Sequence, residues 1–190
     1  MMAEQNMQEF IKVLSSKAAV PGGGGACAYV AAAGMALGAM VANLTTGKKK
    51  YAQYQEEIEE LLSKTEQLSK ELMTYMDKDA ESFEPLSKAY GLPKDTKEQQ
   101  EYKDVVMEKA LKEASLTPVA LMEKILEALK ILERLSVVGS RLAISDVGAG
   151  VQLCKAALNG ASLNVFINTK LMKDTETAEE IKHKNRCTVD

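Results

Sequence analysis

The chain has 190 residues, a formal net charge of -3 and 46% hydrophobic residues, which is typical of one soluble domain with its own core. Nucleic-acid-binding proteins normally present a basic face, so this mildly acidic chain is not expected to bind nucleic acid. Cys27, Cys154 and Cys187 form no CxxC pair, which favours reduced thiols and a cytoplasmic location. The single histidine, His183, cannot build a multi-histidine metal site, so no metal is predicted.

Four consecutive glycines follow a first predicted helix, whose apolar residues recur at helical spacing between Met7 and Leu14. In Val20-Pro21-Gly22-Gly23-Gly24-Gly25, the missing Cβ atoms let another group approach the backbone closely. Unpaired N–H groups at the start of a following helix attract carboxylate, phosphate or polarised carbonyl oxygens. The run is therefore either a ligand contact or a flexible turn, and it is not a P-loop because no Lys-Ser/Thr pair follows.

A central helix is predicted from about Ala26 to Leu44, inside a segment from Ala18 to Gly47 that contains no charged residue. Gly34 and Gly38 would let another helix approach closely, including the same helix of a second subunit. Within it, the stretch from Ala26 to Asn43 is nearly long enough to span a bilayer. Its high Ala and Gly content and its lack of tryptophan instead favour the central helix of a soluble bundle.

A long helix is predicted from Tyr51 to about Ala89, after the basic residues Lys48, Lys49 and Lys50. Apolar residues recur on one face of this helix and charged residues occupy the others. Pro85 is expected to kink it. The lysine triplet is either a solvated helix start or a contact for an acidic ligand.

The second half of the chain is predicted to contain further helices separated by glycine and proline. Gly91-Leu92-Pro93 forms a break, Thr96 caps the next helix, and Pro118 kinks or restarts it. The remaining predicted elements are a helix from Val119 to Leu135, a break at Gly139-Ser140, a helix from Ser145 to about Asn164, and a charged tail over residues 174–190. No alternating strand pattern occurs, so residues 1–190 are predicted to be one all-α helical bundle.

Asp79 is the most informative position on the long helix. It shares a face with apolar residues such as Leu72, Tyr75 and Phe83, whereas Asp77, two residues away, points to another side. A carboxyl drawn out of water has a raised pKa, which suits an aspartate that carries protons near neutral pH. The alternative is a buried Asp79 that pairs with an arginine or caps another helix.

Asp146 also lies among small and apolar residues, directly after Ser145. At the start of a helix, these two residues would satisfy free N–H groups and complement the helix dipole. Arg141 is a candidate partner for the Asp146 carboxylate.

Several short motifs occur in a fixed order along the chain. They are Pro21-Gly22-Gly23-Gly24, Met40-Val41-Ala42-Asn43-Leu44-Thr45, Asp77-Lys78-Asp79-Ala80-Glu81-Ser82-Phe83, Leu92-Pro93-Lys94, Ser145-Asp146 and Asn164-Val165-Phe166-Ile167-Asn168. In this order and spacing, residues from about Phe10 to Asp174 resemble the formiminotransferase-cyclodeaminase and methenyltetrahydrofolate cyclohydrolase family. The resemblance corresponds to the cyclodeaminase domain standing alone, without a formiminotransferase half.

The resemblance implies an all-helical homodimer that binds a tetrahydrofolate derivative as substrate, without a prosthetic group. It implies that Asp79 is catalytic, that Gly22 to Gly25 form a wall for the folate, and that Lys48, Lys49 or Arg141 meet its glutamate carboxylates. We expect a formiminotetrahydrofolate cyclodeaminase, which converts 5-formiminotetrahydrofolate to 5,10-methenyltetrahydrofolate and ammonia. The alternatives are a methenyltetrahydrofolate cyclohydrolase and a non-catalytic folate-binding scaffold.

One position departs from the family pattern. The family commonly has Gly-Asn before the Ser-Asp element, whereas this chain has Gly139-Ser140. The Ser140 hydroxyl either keeps a ligand contact through water, shifts the substrate preference, or accompanies loss of activity. Pro21, Ser140, Arg141 and Asp146 join the expected substrate-binding residues. A separate formiminotransferase is a candidate partner, whereas a membrane is not expected.

Overall fold

The computed structural model describes residues 2–189, and within this range the chain forms six α-helices and no strand. The helices are α1 (Met7–Leu14), α2 (Gly23–Thr45), α3 (Gln55–Tyr90), α4 (Lys97–Val138), α5 (Ile144–Leu171) and α6 (Thr175–Val189). Short 3-10 helices cover Met2–Glu4, Lys49–Tyr54 and Arg141–Ala143. The predicted all-α class is confirmed.

Helix α2 is the centre of the bundle, because it packs against α3, α4 and α5. Ala28, Met35 and Val41 on this helix are fully buried. By length and composition alone α2 could cross a membrane, but 50% of its most apolar stretch is buried inside the chain. It is the central helix that the sequence predicts, and its partners are the neighbouring helices.

Helices α2 and α5 run antiparallel and approach each other closely through small residues. A Cβ atom on Gly34 would lie 2.8 Å from the Cys154 Sγ atom and 2.9 Å from the Gly150 carbonyl oxygen. On Gly38, a Cβ atom would lie 3.0 Å from Leu132 of α4. The close approach predicted at Gly34 and Gly38 is thus made by α5 and α4 of the same chain.

The restart expected at Pro118 is wrong, because α4 is one helix of 42 residues with Pro118 inside it. A proline inside a helix removes the N–H that would bond to the carbonyl four residues earlier, which here is Ala114. The Asn168 Nδ2 atom of α5 donates to that oxygen at 3.1 Å. A side chain from a distant part of the sequence therefore replaces the missing donor, and α3 likewise continues through the exposed Pro85 to Tyr90.

One predicted helix cap is confirmed and another is wrong. Thr96 caps α4 in a capping box with Gln99. Ser145 and Asp146 do not cap α5, since both already lie in its first turn, whereas a capping residue needs non-helical backbone angles.

Two further expectations concern side chains outside the helix ends. Within residues 2–189, Arg141 forms no ion pair with Asp146. Cys27 and Cys154 are free thiols. The Cys187 side chain lies outside the described residues, so its reduced state remains a prediction.

Candidate functional site

A cavity of about 210 Å³ lies at the N-terminus of α2. It is formed where α3, α4 and α5 meet the first turn of the central helix. Its lining residues are Ala19, Val20, Gly22, Gly23, Gly24, Asp79, Ser82, Phe83, Ala114, Asn164, Ile167 and Asn168. The cavity brings together the two features that the sequence marks most strongly, the glycine run and Asp79.

The glycine run is the start of a helix and not a flexible turn, which corrects the helix start expected at about Ala26. Gly22 is the N-cap of α2, and Gly23 to Gly25 form its first turn. A Cβ atom on Gly24 would overlap the Asp79 carboxylate, lying 2.5 Å from its Cγ atom, whereas one on Gly22 would meet nothing within 4 Å. Gly24 is therefore the glycine that the site requires, because it makes room for Asp79.

Pro21 lies just outside the cavity. It is buried, and its Cβ atom is 3.4 Å from the position that a Cβ atom on Gly25 would occupy. Pro21 thus supports the first turn of α2 from behind, whereas Gly22, Gly23 and Gly24 lie on the cavity wall.

Asp79 has two carboxyl oxygens in different surroundings. Oδ2 accepts a hydrogen bond from the Gly25 N–H at 2.9 Å, so this oxygen caps α2. Capping of another helix is one of the two alternatives that the sequence leaves open for Asp79. Oδ1 has no hydrogen-bond donor among residues 2–189. The carboxyl is half-buried on the cavity wall, and within the described residues it pairs with no arginine.

The pKa of Asp79 is raised above its ordinary value. Burial of the carboxyl raises this pKa, and the hydrogen bond from the Gly25 N–H lowers it by a smaller amount. The structure confirms the direction that the sequence predicts. A carboxyl with a raised pKa holds a proton more readily than an ordinary aspartate does, which favours a role in proton transfer.

Cys27 lies two residues after Gly25, and its side chain remains a thiol. Burial, followed by the nearby Asp79 charge, raises the pKa of Cys27 to about 11. Because the thiolate is the nucleophilic form of cysteine, this side chain is not set up for nucleophilic catalysis.

The sequence alone assigns no role to four side chains that line the cavity. Ser82 and Phe83 follow Asp79 by three and four residues, so they share its helix face. Asn164 and Asn168 are four residues apart on α5 and face the same cavity. Their spacing is the signal that could have identified them, but only once α5 is known to pack beside α3.

The remaining predicted binding residues lie at the opposite end of α2. The Ser140 N–H donates to Thr45 Oγ1 at 2.8 Å, and the Arg141 N–H donates to the Tyr51 hydroxyl at 3.0 Å. With a rise of 1.5 Å per residue, Thr45 is about 30 Å from the first turn of α2. Exposed Lys48 lies at this same end, so one chain does not bring these residues to Asp79.

Asp146 belongs to this second group as well, since it lies in the first turn of α5, just after Arg141. No group of three or more metal-ligating side chains occurs among the described residues.

Comparison with known proteins gives three results. Residues 6–186 match the family described as formiminotransferase-cyclodeaminase. The chain is 38% identical over 180 residues to the methenyltetrahydrofolate cyclohydrolase of Methylorubrum extorquens, covering 95% of this chain and 86% of that protein. It is 28% identical over 183 residues to the formimidoyltransferase-cyclodeaminase of Rattus norvegicus, covering 96% of this chain and 34% of the rat protein.

The fold is similar to the crystal structure of formiminotetrahydrofolate cyclodeaminase from Thermotoga maritima. The TM-score is 0.85 at 28% identity, and the match covers 100% of this chain and 92% of the Thermotoga chain.

Proposed function

The chain belongs to the formiminotransferase-cyclodeaminase family, the cyclohydrolases and cyclodeaminases of folate one-carbon chemistry, and on this premise we propose that it is a methenyltetrahydrofolate cyclohydrolase with Asp79 as its proton carrier. The observation that carries the proposal is the half-buried Asp79 carboxyl on the wall of the α2 cavity, with its raised pKa. The cyclohydrolase is favoured by the 38% identity to a relative of similar length. The cyclodeaminase expected from the sequence is not confirmed by the comparisons and becomes the second candidate.

In the hydrolysis, water adds to the carbon that bridges N5 and N10 of 5,10-methenyltetrahydrofolate. Ionised Asp79 takes one proton from this water as the carbon–oxygen bond forms, which gives a neutral tetrahedral carbinol. The bond from N5 to this carbon then breaks, Asp79 returns its proton to N5, and the carbinol hydroxyl loses its proton as the carbonyl forms. The product is 10-formyltetrahydrofolate, and one proton is released for each water consumed.

The cyclodeaminase reaction requires the same carboxyl. N10 of protonated 5-formiminotetrahydrofolate attacks the formimino carbon, and Asp79 carries the N10 proton to the departing nitrogen, which leaves as ammonia. The product is 5,10-methenyltetrahydrofolate. The Thermotoga structure, described as a formiminotetrahydrofolate cyclodeaminase, favours this second candidate. A separate formiminotransferase would be needed only for this reaction.

The cavity is too small for a whole folate, since pockets for drug-sized ligands typically enclose about 300–1,000 Å³. At about 210 Å³, it holds the reacting end of the substrate. Phe83 and Ile167 supply apolar surface for a flat ring system. The glutamate tail must extend out of the cavity toward other residues.

We also propose that a second copy of the chain covers the exposed face of α2 and α5. No charged residue occurs in α2, and Met40 and Leu44 are exposed on it. On α5 and just before it, Leu163 is 67% and Leu142 is 92% exposed. A face of this kind is typical of an interface between subunits. It is continuous with the cavity, because Ile167 belongs to both.

An antiparallel arrangement of the two copies would complete the substrate site. A two-fold axis perpendicular to α2 and in the plane of the interface brings the Lys48 and Arg141 end of one chain beside the Asp79 cavity of the other. Cationic side chains of the second copy would then meet the glutamate carboxylates of the bound folate. This arrangement explains why residues expected in one site lie about 30 Å apart in one chain.

The function is tested by incubating the purified protein with 5,10-methenyltetrahydrofolate and following the absorbance of this folate. The native chain should consume methenyltetrahydrofolate faster than the uncatalysed reaction, and parallel assays with 5-formiminotetrahydrofolate test the second candidate. Asp79→Asn should lower kcat by about 10²- to 10⁴-fold, the range for loss of a general acid–base. A folded native chain that turns over neither folate contradicts the proposed function, and a fully active Asp79→Asn variant contradicts the role of Asp79.

A further inference from the structure

The Asn164 side chain presents an amide to the cavity that no protein group holds in place. Its Nδ2 atom is buried and has no hydrogen-bond partner within residues 2–189, and its Oδ1 atom receives no hydrogen bond there. A buried polar atom without a partner lowers the stability of a fold, unless a ligand completes its hydrogen bond. Among the described side chains with such an atom, Asn164 alone lines the cavity.

The second cavity asparagine provides a contrast. Asn168 donates through Nδ2 to the Ala114 carbonyl at 3.1 Å, which fixes the orientation of its amide and repairs the hydrogen bond lost at Pro118. Asn168 therefore has a structural role, whereas the Asn164 amide is free to turn either its N–H or its oxygen toward a ligand.

Asn164 and Asp79 face the same turn of α2. A Cβ atom on Gly23 would lie 3.5 Å from Asn164 Oδ1, and one on the next residue, Gly24, would overlap Asp79. Consecutive Cα atoms are about 3.8 Å apart. Asn164 and Asp79 therefore lie against neighbouring residues of the first turn of α2, and both line the cavity.

We propose that the Asn164 amide binds the oxygen or nitrogen substituent on the reacting one-carbon unit of the substrate. This inference rests on the proposed function and adds a catalytic residue to it. In the hydrolysis, the amide N–H donates to the oxygen that arrives with water and becomes the formyl oxygen. In the cyclodeaminase reaction, the amide oxygen accepts a hydrogen bond from the departing amino group. Asp79 moves the protons in both cases.

A binding experiment with two folates isolates this contact. 5-Formyltetrahydrofolate has an oxygen on the one-carbon unit and tetrahydrofolate has no one-carbon unit, so the difference in their affinities reports the group that Asn164 touches. By calorimetry, the native chain should prefer 5-formyltetrahydrofolate. Asn164→Leu should weaken its binding about tenfold and leave tetrahydrofolate within about twofold, a selective loss of about 1.4 kcal/mol.

Activity and stability provide the second readout. Asn164→Leu should lower kcat about 100-fold, the effect of removing one donor to a developing charge. Its melting temperature should equal or exceed the native value, because leucine removes an unpartnered polar atom. Asn168→Leu, the matched variant, should melt at a lower temperature because it leaves the Ala114 carbonyl without its donor.

Three results overturn the inference about Asn164. They are an equal loss of affinity for both folates, no loss for either, and a native kcat in the folded Asn164→Leu variant. A native chain that binds neither folate contradicts the proposed function itself, which is a different outcome from a failure confined to the variant.

Discussion

At the scale of single residues, the Asp79 carboxyl is held where its ionised form is costly. Its pKa is raised in the fold, while an unfolded chain has the ordinary value near 4. Between these two values the folded state binds more protons than the unfolded state, so the free energy of unfolding falls as pH rises through this window. The group that we propose to carry protons therefore destabilises the fold at neutral pH.

Asp79→Asn is expected to be at least as stable as the native chain at pH 7. The amide stays neutral, and its oxygen can still accept the hydrogen bond from the Gly25 N–H. Melting temperatures of both proteins from pH 4 to pH 8 should show the native chain losing stability relative to the variant as pH rises. A native chain that gains relative stability with rising pH would contradict the raised pKa.

Gly24→Ala is expected to remove most of the activity, because its Cβ atom would overlap the Asp79 carboxylate. The carboxyl must turn away from the Gly25 N–H, and a misplaced catalytic group costs on the order of 100-fold in rate. Gly91→Ala is the matched control. A Cβ atom on Gly91 would lie no closer than 3.5 Å to its nearest neighbour, the Lys88 carbonyl oxygen, and the φ of -77° at Gly91 suits alanine. Steady-state assays of both folded variants check this, and equal activities would show that Gly24 does not seat Asp79.

At the scale of helices, the contact between α2 and α5 depends on residues without side chains. Gly34→Ala would place a Cβ atom 2.9 Å from the Gly150 carbonyl oxygen, which belongs to the backbone and cannot rotate away. The two helices must separate, so the free energy of unfolding should fall by about 1–3 kcal/mol. Urea denaturation measures this change.

Gly148→Ala provides the comparison on α5, because a Cβ atom there meets nothing within 4 Å. An exposed helical glycine replaced by alanine should gain about 0.5–1 kcal/mol. If both alanine variants shift stability in the same direction, steric closeness at Gly34 is not the reason for its glycine.

The course of the helices could be predicted from apolar spacing, caps and breaks, but the effect of Pro118 could not. Proline ends a helix when its missing hydrogen bond is not replaced, and here the replacement is Asn168, which lies 54 residues after Ala114. Only the packing of α5 on α4 reveals this donor. The glycine run is a second example of what the sequence does not show. Four glycines predict that another group approaches the backbone closely, but they do not show that Gly23 to Gly25 are helical.

Only the part of the candidate site around Asp79 could be predicted from the sequence. Asp79 is identifiable because it interrupts an apolar helix face, and the structure brings it to the glycines, as the family resemblance implies. Lys48, Ser140 and Arg141 belong to the same expected site by resemblance, but sequence order contains no distances. In one chain they lie at the other end of α2, so their connection with Asp79 is a question about the whole molecule.

At the scale of the whole molecule, the antiparallel dimer predicts that each active site combines Asp79 of one chain with Arg141 of the other. Arg141→Ala should then raise KM and leave kcat near the native value, because a tail contact contributes to binding and not to the transition state alone. Loss of a charged hydrogen bond of this kind costs about 1.5–3 kcal/mol. Sedimentation should show the native chain as a dimer.

Mixing two impaired variants tests this arrangement directly. When Asp79→Asn and Arg141→Ala chains are mixed in equal amounts and allowed to exchange, half of the dimers are mixed, and one of their two sites has both native residues. At substrate concentrations below KM, the mixture should recover about a quarter of native activity. If both residues acted within one chain, no mixed dimer would contain an intact site, and activity would stay at the average of the two variants. Adding Met40→Glu to both chains should abolish the recovery by placing charge on the α2 face, whereas Val105→Glu, at an exposed position on α4, should not.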